Sequence, residues 1–257
     1  MFTKILLKNI RQVKWFLERK WGEDSINYRD QGQINFIDVG AIGWLPPPWN
    51  LRKNTAKICH LLRFEPQEYS GNSSHVTTID SVLWENDCER DFYFFSGAGG
   101  GASLFEQNYE YVRENYNEIS LRGDQRASKT WFERSKFSHK IKVKCHPLDK
   151  VLAGLQPSRN YHFLKVDAQG AEYQILRGGE NLLRTSCIGI HLELFVMPLF
   201  KGAKLMPEVI AYLAGLDFEL VKQYPAHGTF DSQHDCVFIK KNSSGGIVNN
   251  IREIYCI

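Results

Sequence analysis

The fold is decided by residues 34–43, INFIDVGAIG, where an apolar run with β-branched residues ends in an acidic residue and a glycine turn. Such a run predicts a buried strand over Ile34–Val39, and glycine tolerates the positive φ of a tight turn. A second apolar run, Ile58–Phe64, ends in Glu65 and Pro66. Because such runs alternate with helix-like segments along the chain, the sequence predicts an α/β protein with a mostly parallel, doubly wound sheet.

The rest of the chain continues this alternation. Further predicted strands are His75–Leu83, Asp91–Phe95, Tyr161–Asp167, Ile188–Leu194, Phe218–Val221 and Cys236–Ile239, of which the last two are expected to pair antiparallel. Predicted helices are Gly170–Arg177, which Gly178 would end in the left-handed conformation, and Met206–Ala214, with Pro207 near its start and Gly215 after its end. Residues 97–101 form a glycine cluster suited to a turn or to close approach to a ligand, and 107–138 an irregular helical insertion.

The composition is that of one substantial globular domain. The 257 residues are 43% hydrophobic and 24% charged, with a formal net charge of +3, which is too small to indicate a nucleic-acid partner. Six cysteines lie without a CxxC pair or metal-ligand spacing, which predicts reduced thiols in a cytoplasmic protein. No run approaches the roughly 18 apolar residues of a membrane span, and no secretory signal is recognised.

Residues 1–30 are predicted to form an N-terminal extension ahead of one domain at 31–257. Within the extension, Phe2–Trp21 has apolar residues at helical spacing and lysine or arginine at most of the others. A basic amphipathic helix of this kind is suited to peripheral contact with an anionic membrane surface, here the inner face of the cell membrane. The alternative is that its apolar face packs on its own domain or on another subunit.

Three acidic residues, Asp38, Glu65 and Asp167, stand at the carboxyl ends of predicted strands, where open parallel sheets bind ligands. The glycine turn lets backbone N–H groups approach a ligand, and an acidic residue after the second strand can accept both hydroxyls of a ribose. Gly40 and Gly43 lack the third glycine of a dinucleotide fingerprint, and no P-loop occurs. A carboxylate before the turn repels a pyrophosphate but attracts a sulfonium, which favours S-adenosylmethionine.

Four sequence blocks resemble the FkbM family of methyltransferases: FIDVGA at 36–41, FEP at 64–66, PLD at 147–149 and LKVDAQGAE at 164–172. The last block, followed by ILRGG at 175–179, is the most specific. The resemblance implies a Rossmann-like class I methyltransferase fold, S-adenosylmethionine as donor, and O-methylation of a hydroxyl on a sugar, glycan or related metabolite in surface-polysaccharide biosynthesis. Many family members read DVGANxG, whereas this chain reads DVGAIG before a run of three prolines at 46–48, so recognition of the methionine end is expected to differ.

The resemblance also implies which residues bind the donor. They are Asp38, Gly40, Ala41 and Gly43 at the methionine end, Glu65 at the ribose, Asp80 and Ser81 at the adenine, and Asp167 beside the methyl group. Each has an ordinary alternative, because glycines form turns and aspartates cap helices without any ligand.

Methyl transfer to oxygen needs a base or a metal near the methyl group, because the alcohol must lose its proton. The catalytic candidates are Asp167 at the end of its strand, His191 and Glu193 on one side of the next strand, and Lys165 as a donor to these carboxylates. The structural alternatives are a hydrogen-bonded core histidine, a strand-end salt bridge and a structural cation. Asp167, Glu193 and His191 would also suit a divalent metal, but their spacing is not diagnostic and no metal is predicted. Glu172 is expected to stabilise its helix rather than to act in catalysis.

Two other functions stay open. The fold would also serve a noncatalytic binding or assembly subunit of a glycan-synthesis complex, in which the altered glycine turn reflects lost donor affinity. A glycosyltransferase ranks below both because no D-x-D motif occurs. Aromatic side chains that would stack on a sugar acceptor are Trp44, Trp49, Phe105, Tyr109 and Trp131, with core packing as their alternative role.

Overall fold

The computed structural model describes residues 26, 33–67, 70–96 and 102–257. Its strands are β1 (Ile34–Val39), β2 (Ile58–Phe64), β3 (Gly71–Asn72), β4 (Val76–Ile79), β5 (Val82–Leu83), β6 (Cys88–Phe95), β7 (Phe137–His146), β8 (Phe163–Val166), β9 (Gly189–Phe195), β10 (Phe218–Gln223) and β11 (Gln233–Lys240). Its helices are α1 (Arg52–Thr55), α2 (Tyr109–Ile119), α3 (Gln125–Lys129), α4 (Trp131–Arg134), α5 (Leu148–Gly154), α6 (Glu172–Gly178), α7 (Glu180–Thr185), α8 (Met206–Ala214) and α9 (Gly246–Tyr255), with a 3₁₀ turn at Thr229–Asp231.

Within the described ranges, eight strands form one sheet in the order β10-β11-β9-β8-β1-β2-β4-β3, and three form a smaller sheet in the order β5-β7-β6. The five central strands β4, β2, β1, β8 and β9 run parallel. The strand β11 lies antiparallel between β9 and β10, as expected for the C-terminal strands. The prediction of a mostly parallel α/β sheet with a C-terminal antiparallel strand is confirmed.

Apolar side chains cover both faces of the large sheet. On one face, Ile37 and Val166 belong to a core that α6, α7 and α8 complete. On the other face, Trp49 packs with its ring centroid 4.7 Å from that of Phe36 and 4.9 Å from that of Phe163. Because both faces are buried, the ligand-binding region of the sheet is its edge at the carboxyl ends of the parallel strands.

Several element boundaries differ from the prediction. The expected strand His75–Leu83 is two strands, β4 in the large sheet and β5 in the small one, because the chain changes sheets at residues 80–81. The expected strand at Asp91 begins earlier, at Cys88. The helical insertion ends at Arg134, and the strand β7 and helices α5, α7 and α9 were not predicted.

Gly178 was expected to end helix α6 in the left-handed conformation, and this is wrong. Gly178 lies inside the helix, and the following Gly179 has φ −113°. The physical reason for a glycine is close packing, since a Cβ atom at Gly178 would come closer than 3.0 Å to the carbonyl oxygen of Trp84. The missing side chain thus lets helix α6 pack directly against the end of β5.

Two predicted segments, the helix Phe2–Trp21 and the glycine cluster at 97–101, lie outside the described residues. The boundary between an extension at 1–30 and a domain at 31–257 therefore stays a prediction. Among the helices of the described ranges, none is long and apolar enough to cross a membrane.

Candidate active site

A row of polar side chains crosses the centre of the large sheet. Asp38 in β1 is the register partner of Arg63 in β2 and of Lys165 in β8, and Lys165 is in turn the partner of His191 in β9. Register partners on neighbouring strands point to the same face of a sheet. All four side chains are buried, so the row is a polar seam within the sheet.

Lys165 is the centre of this row. Its Nζ lies 3.2 Å from Asp38 Oδ1 and 3.8 Å from Asp167 Oδ2. Burial alone would lower the pKa of Lys165, but the carboxylates of Asp38 and Asp167 raise it above its ordinary value. The ammonium is therefore charged, and it holds two carboxylates together at the carboxyl ends of β1 and β8.

The glycine turn after β1 is shaped by the protein itself. Gly40 has φ +72° and donates its N–H to the carbonyl of Phe64 at 3.0 Å, and Ala41 donates to the same carbonyl at 3.3 Å. The Arg63 guanidinium donates to the carbonyls of Ala41 and Gly43. The expectation that N–H groups of this turn bind a ligand is thus corrected for Gly40 and Ala41, because these groups continue the pairing with β2.

A cleft of about 400 Å³, here called the first cleft, opens at the ends of β1, β2 and β8. The predicted site residues that line it are Asp38, Gly40, Glu65, Ser81, Lys165 and Asp167. Glu65 is only 2% exposed, and its Oε1 accepts the N–H of Gln67 at 2.9 Å. The structure thus brings carboxylates from three different strands to one cavity.

Three predicted donor-binding residues do not line the first cleft. Ala41 and Gly43 do not contribute to its lining, and their carbonyls accept from the buried Arg63. Asp80 is exposed and accepts the hydroxyl of Ser70, while its own N–H donates to Ser70 Oγ at 3.0 Å. Asp80 therefore fixes a turn beside β4 rather than capping a helix, and Ser81 alone of that pair faces the cavity.

A second cleft of about 340 Å³ adjoins the first. It shares Pro46, Lys165 and Asp167 with the first cleft. Its other lining residues are Pro47, Val166, His191, Glu193, Tyr224 and Asp235. The four catalytic candidates, Asp167, Glu193, His191 and Lys165, thus meet around this cavity.

His191 belongs to a hydrogen-bonded chain. The Trp49 Nε1 donates to the Tyr255 hydroxyl at 2.7 Å, and that hydroxyl lies 3.0 Å from His191 Nδ1. His191 Nε2 lies 3.2 Å from Asp235 Oδ1. A ring that carries its proton on Nε2 accepts from the Tyr255 hydroxyl and donates to Asp235. Trp49, Tyr255 and His191 then each donate once, and the chain ends at the Asp235 carboxylate. Both ring nitrogens are engaged, so the geometry favours the hydrogen-bonded core histidine over a histidine that takes a proton from substrate.

Glu193 is linked to Asp167 through an amide. Gln169 Nε2 donates to Asp167 Oδ1 at 3.0 Å and to Glu193 Oε2 at 3.2 Å. Burial, and then the negative charges of Asp167, Glu172 and Asp235, raise the pKa of Glu193 to about 9. Glu193 is therefore protonated at neutral pH in the ligand-free protein, and it can act as a base only after losing that proton.

Glu172 organises the loop between β8 and α6. Its Oε1 accepts the N–H of Ala168 at 2.8 Å and of Gly170 at 3.3 Å. Burial raises its pKa to about 7. The contacts fit the structural role expected from the sequence, because they hold the loop that carries Asp167 and Gln169.

Residues that sequence reasoning missed complete the site: Arg63, Gln169, Tyr224, Asp235 and Tyr255. A charged residue inside the apolar run of β2 was a signal for Arg63, while Asp235 reaches the site only through the pairing of β11 with β9. Of the aromatic candidates, Trp49, Phe105 and Trp131 are buried in the core and Trp44 lines the first cleft. Tyr109 donates its hydroxyl to the Ser135 carbonyl.

No group of three or more histidine, cysteine, aspartate or glutamate side chains placed to hold a metal occurs among residues 26, 33–67, 70–96 and 102–257.

The fold and the carboxylate-lined cleft at the strand ends define the class: a Rossmann-like α/β protein of the class I methyltransferase type. The family model of the methyltransferase FkbM domain matches residues 47–220, and the chain belongs to this family. The match covers Glu65, Asp167 and Glu193 and begins after the glycine turn.

A crystal structure of methyltransferase FkbM from Methylobacillus flagellatus KT is similar with a TM-score of 0.44 and 11% identity, over 82% of this chain and 44% of that one. This chain therefore spans less than half the length of that protein. No curated protein matches the sequence.

Proposed function

We propose that this methyltransferase uses S-adenosylmethionine and transfers the methyl group to a hydroxyl of a sugar, glycan or related metabolite. The observation that carries the proposal is the pair of adjoining clefts. The first has the buried carboxylate of Glu65 beside the group of Asp38, Lys165 and Asp167, and the second shares Lys165 and Asp167 with it. Two cavities that meet at one set of charged groups suit a donor and an acceptor.

The residues of the first cleft fit the donor. The carboxylate of Glu65 is suited to accept ribose hydroxyls, and charge-assisted bonds of this kind are among the stronger ones in proteins. The carboxylates of Asp38 and Asp167 outnumber the ammonium of Lys165 and so favour a cation. When bound, S-adenosylmethionine supplies an electrophilic methyl group on a positively charged sulfur.

The chain's own residues then orient the acceptor and take its proton. Lys165 holds Asp38 and Asp167 in place, and Gln169 links Asp167 to Glu193. Asp167 faces both clefts and is the first candidate to accept the hydroxyl proton. Glu193 becomes a second candidate once it is ionised, and positive charge in the first cleft favours that ionisation.

The decisive experiment is calorimetric titration of S-adenosylmethionine and S-adenosylhomocysteine into the full chain. Glu65→Ala should weaken both ligands about tenfold or more, because one lost charge-assisted bond costs roughly 1.5–3 kcal/mol. Glu219→Gln, which changes an exposed carboxylate on β10, is the matched control and should bind like the native protein.

A native protein that binds neither ligand would contradict the donor assignment. That result would favour the noncatalytic assembly subunit. The N–H groups of Gly40 and Ala41, which donate to the Phe64 carbonyl, are consistent with that alternative. Unchanged affinity in Glu65→Ala would contradict the ribose-binding role.

The cellular setting belongs to the same proposal. We place the protein in the cytoplasm, in the synthesis of surface polysaccharide, with residues 1–30 as a basic extension that contacts the inner face of the membrane. Deletion of residues 1–21 should abolish binding to anionic liposomes and leave cooperative unfolding intact. A truncated chain that aggregates would show instead that this segment packs on the domain.

A further inference from the structure

The second cleft has a chemical character of its own. We propose that it is the acceptor subsite and that it selects neutral or cationic polyhydroxylated ligands over anionic ones. The proposal rests on the proposed function, since it names the acceptor class for the same methyl transfer. Its basis is the continuity of the two clefts through Lys165 and Asp167 and the side chains that line the second.

Charge in the second cleft disfavours an anion. The carboxylates of Asp167 and Asp235 line it beside the protonated Glu193, and its one lining cation, among residues that the structure describes, is Lys165. That ammonium already contacts Asp38 and Asp167, with Nζ to Oδ distances of 3.2 and 3.8 Å. A phosphate or carboxylate entering this cavity would meet carboxylates without an uncommitted cation, whereas hydroxyl and ammonium groups would find acceptors.

Asp235 is held in place as an ionised acceptor. Its Oδ1 lies 3.2 Å from His191 Nε2, and its Oδ2 lies 3.2 Å from His227 Nε2. Burial alone would raise its pKa, but the hydrogen bond from His191 and the nearby positive charge of Lys165 help to lower it below its ordinary value. Each carboxylate oxygen has a further lone pair, so Asp235 can accept a hydroxyl without giving up its histidine contacts.

The remaining wall suits the apolar face of a sugar ring. Tyr224 lies beside His191, with ring centroids 6.5 Å apart and an interplanar angle of 25°. Its backbone N–H donates to the Asp235 carbonyl at 2.9 Å, which ties the ring to β11. Pro46 and Pro47 add a rigid apolar surface to the cavity. An aromatic ring, prolines and carboxylates together match a ligand with C–H faces and hydroxyl edges.

The test uses three sugar probes that differ in charge: methyl glucoside, glucosamine and glucuronate. Affinities for the full chain are measured by saturation-transfer NMR at pH 7, with S-adenosylhomocysteine present. We expect glucosamine and methyl glucoside to bind at least about tenfold more tightly than glucuronate. Asp235→Asn should reduce that discrimination severalfold, while Glu219→Gln, on an exposed site of β10, should leave it unchanged.

A second variant separates shape from charge and covers the case in which Asp235→Asn fails to fold. Tyr224→Ala should weaken the neutral and cationic probes by the same factor and keep the discrimination against glucuronate. Equal or tighter binding of glucuronate to the native protein, or no binding of any probe, would overturn the proposal. Donor titration on the same samples distinguishes the two proposals. Tight donor binding without selection among the sugar probes would refute only the acceptor subsite. Selection among the sugar probes without donor binding would refute only the donor assignment.

Discussion

Gly40 and Asp167 touch through their backbones. A Cβ atom built on Gly40 would come closer than 3.0 Å to both the carbonyl carbon and the carbonyl oxygen of Asp167, and Gly40 has φ +72°. The missing side chain at Gly40 lets the chain after β1 lie against the chain after β8, next to the Lys165 ammonium that contacts Asp38 and Asp167.

Replacing Gly40 should therefore damage the fold and the site together. Gly40→Ala combines a steric clash with a left-handed backbone, and we expect the free energy of unfolding to fall by more than about 3 kcal/mol. Gly202→Ala is the matched control, because Gly202 has φ +80° but no neighbouring atom within 4 Å of a built Cβ. It should lose only about 1–2 kcal/mol. Urea unfolding measures both, and equal losses would refute the role of the contact.

Glu193 should make the protein less stable as pH rises. Its folded pKa of about 9 lies above the ordinary value of 4.5, so the folded state binds a proton that the unfolded state has lost between these values. Stability then falls with rising pH over that window. Glu193→Gln cannot ionise, and at pH 8 it should be more stable than the native protein by on the order of 1–2 kcal/mol.

Measuring the free energy of unfolding between pH 7 and 9 isolates the effect of Glu193. Glu172, with a pKa of about 7, changes the stability mainly below pH 7. Glu219→Gln should keep the native pH dependence. If the free energy of unfolding of Glu193→Gln varied with pH as that of the native protein does, the raised pKa of Glu193 would be refuted.

Donor binding should release a proton if the proposed function is right. Positive charge in a cleft lined by Asp38 and Asp167 lowers the pKa of nearby Glu193, which is protonated in the ligand-free protein. Titration at pH 8 in buffers of different ionisation enthalpy should detect proton release with S-adenosylmethionine and less with S-adenosylhomocysteine, which lacks the sulfonium charge. Glu193→Gln should abolish the difference between the two ligands, and a persistent difference would assign the proton to another group.

Tyr255 should be needed for stability through its hydroxyl. In Tyr255→Phe, the buried Trp49 Nε1 and His191 Nδ1 lose their partner, at a cost of about 1–3 kcal/mol. Tyr161→Phe is a matched control, because the Tyr161 hydroxyl is also buried but has a longer contact, 3.4 Å to His60 Nδ1. It should lose less stability than Tyr255→Phe. Thermal or urea unfolding of both variants is sufficient, and a smaller loss in Tyr255→Phe than in Tyr161→Phe would contradict the chain of bonds.

Asp167 should serve the chemical step if it accepts the hydroxyl proton. Asp167→Asn preserves shape while removing the charge, and a positioned base contributes ~10²–10⁴-fold in rate. Single-turnover methylation, with an acceptor selected by the sugar probes, should fall by a factor in that range. Glu193→Gln should lower the rate while changing donor affinity less than Glu65→Ala does. A Glu193→Gln variant with the native rate would remove Glu193 from the mechanism.

The central strands were predictable because they are buried on both faces. The runs at Ile34–Val39 and Ile58–Phe64 are apolar apart from a few positions, and both strands have the predicted bounds. The helix Met206–Ala214 also has its predicted bounds. The strand β7 was missed although Ile141 and Val143 alternate with lysines, because its exposed surface leaves it without a continuous apolar run.

The candidate site was predictable where a residue lies in, or directly after, a strand of the parallel core. Asp38, Glu65 and Asp167 could be placed together on that basis, and the structure brings them to one cleft. Asp235 could not, because its position depends on which strand β11 pairs with and in which register. The bonding of Gly40 N–H to Phe64 likewise depends on pairing rather than on local sequence.

The reversed direction of β11 brings a late part of the chain to the edge of the sheet where both clefts open. Asp235 stands near the start of this strand and opposite Glu193, so the second cleft draws in part on the chain between β9 and β11, whereas the residues that line the first cleft lie between Asp38 and Ile175. Substitutions at Tyr224 or Asp235 can therefore reshape the second cleft without changing any residue that lines the first.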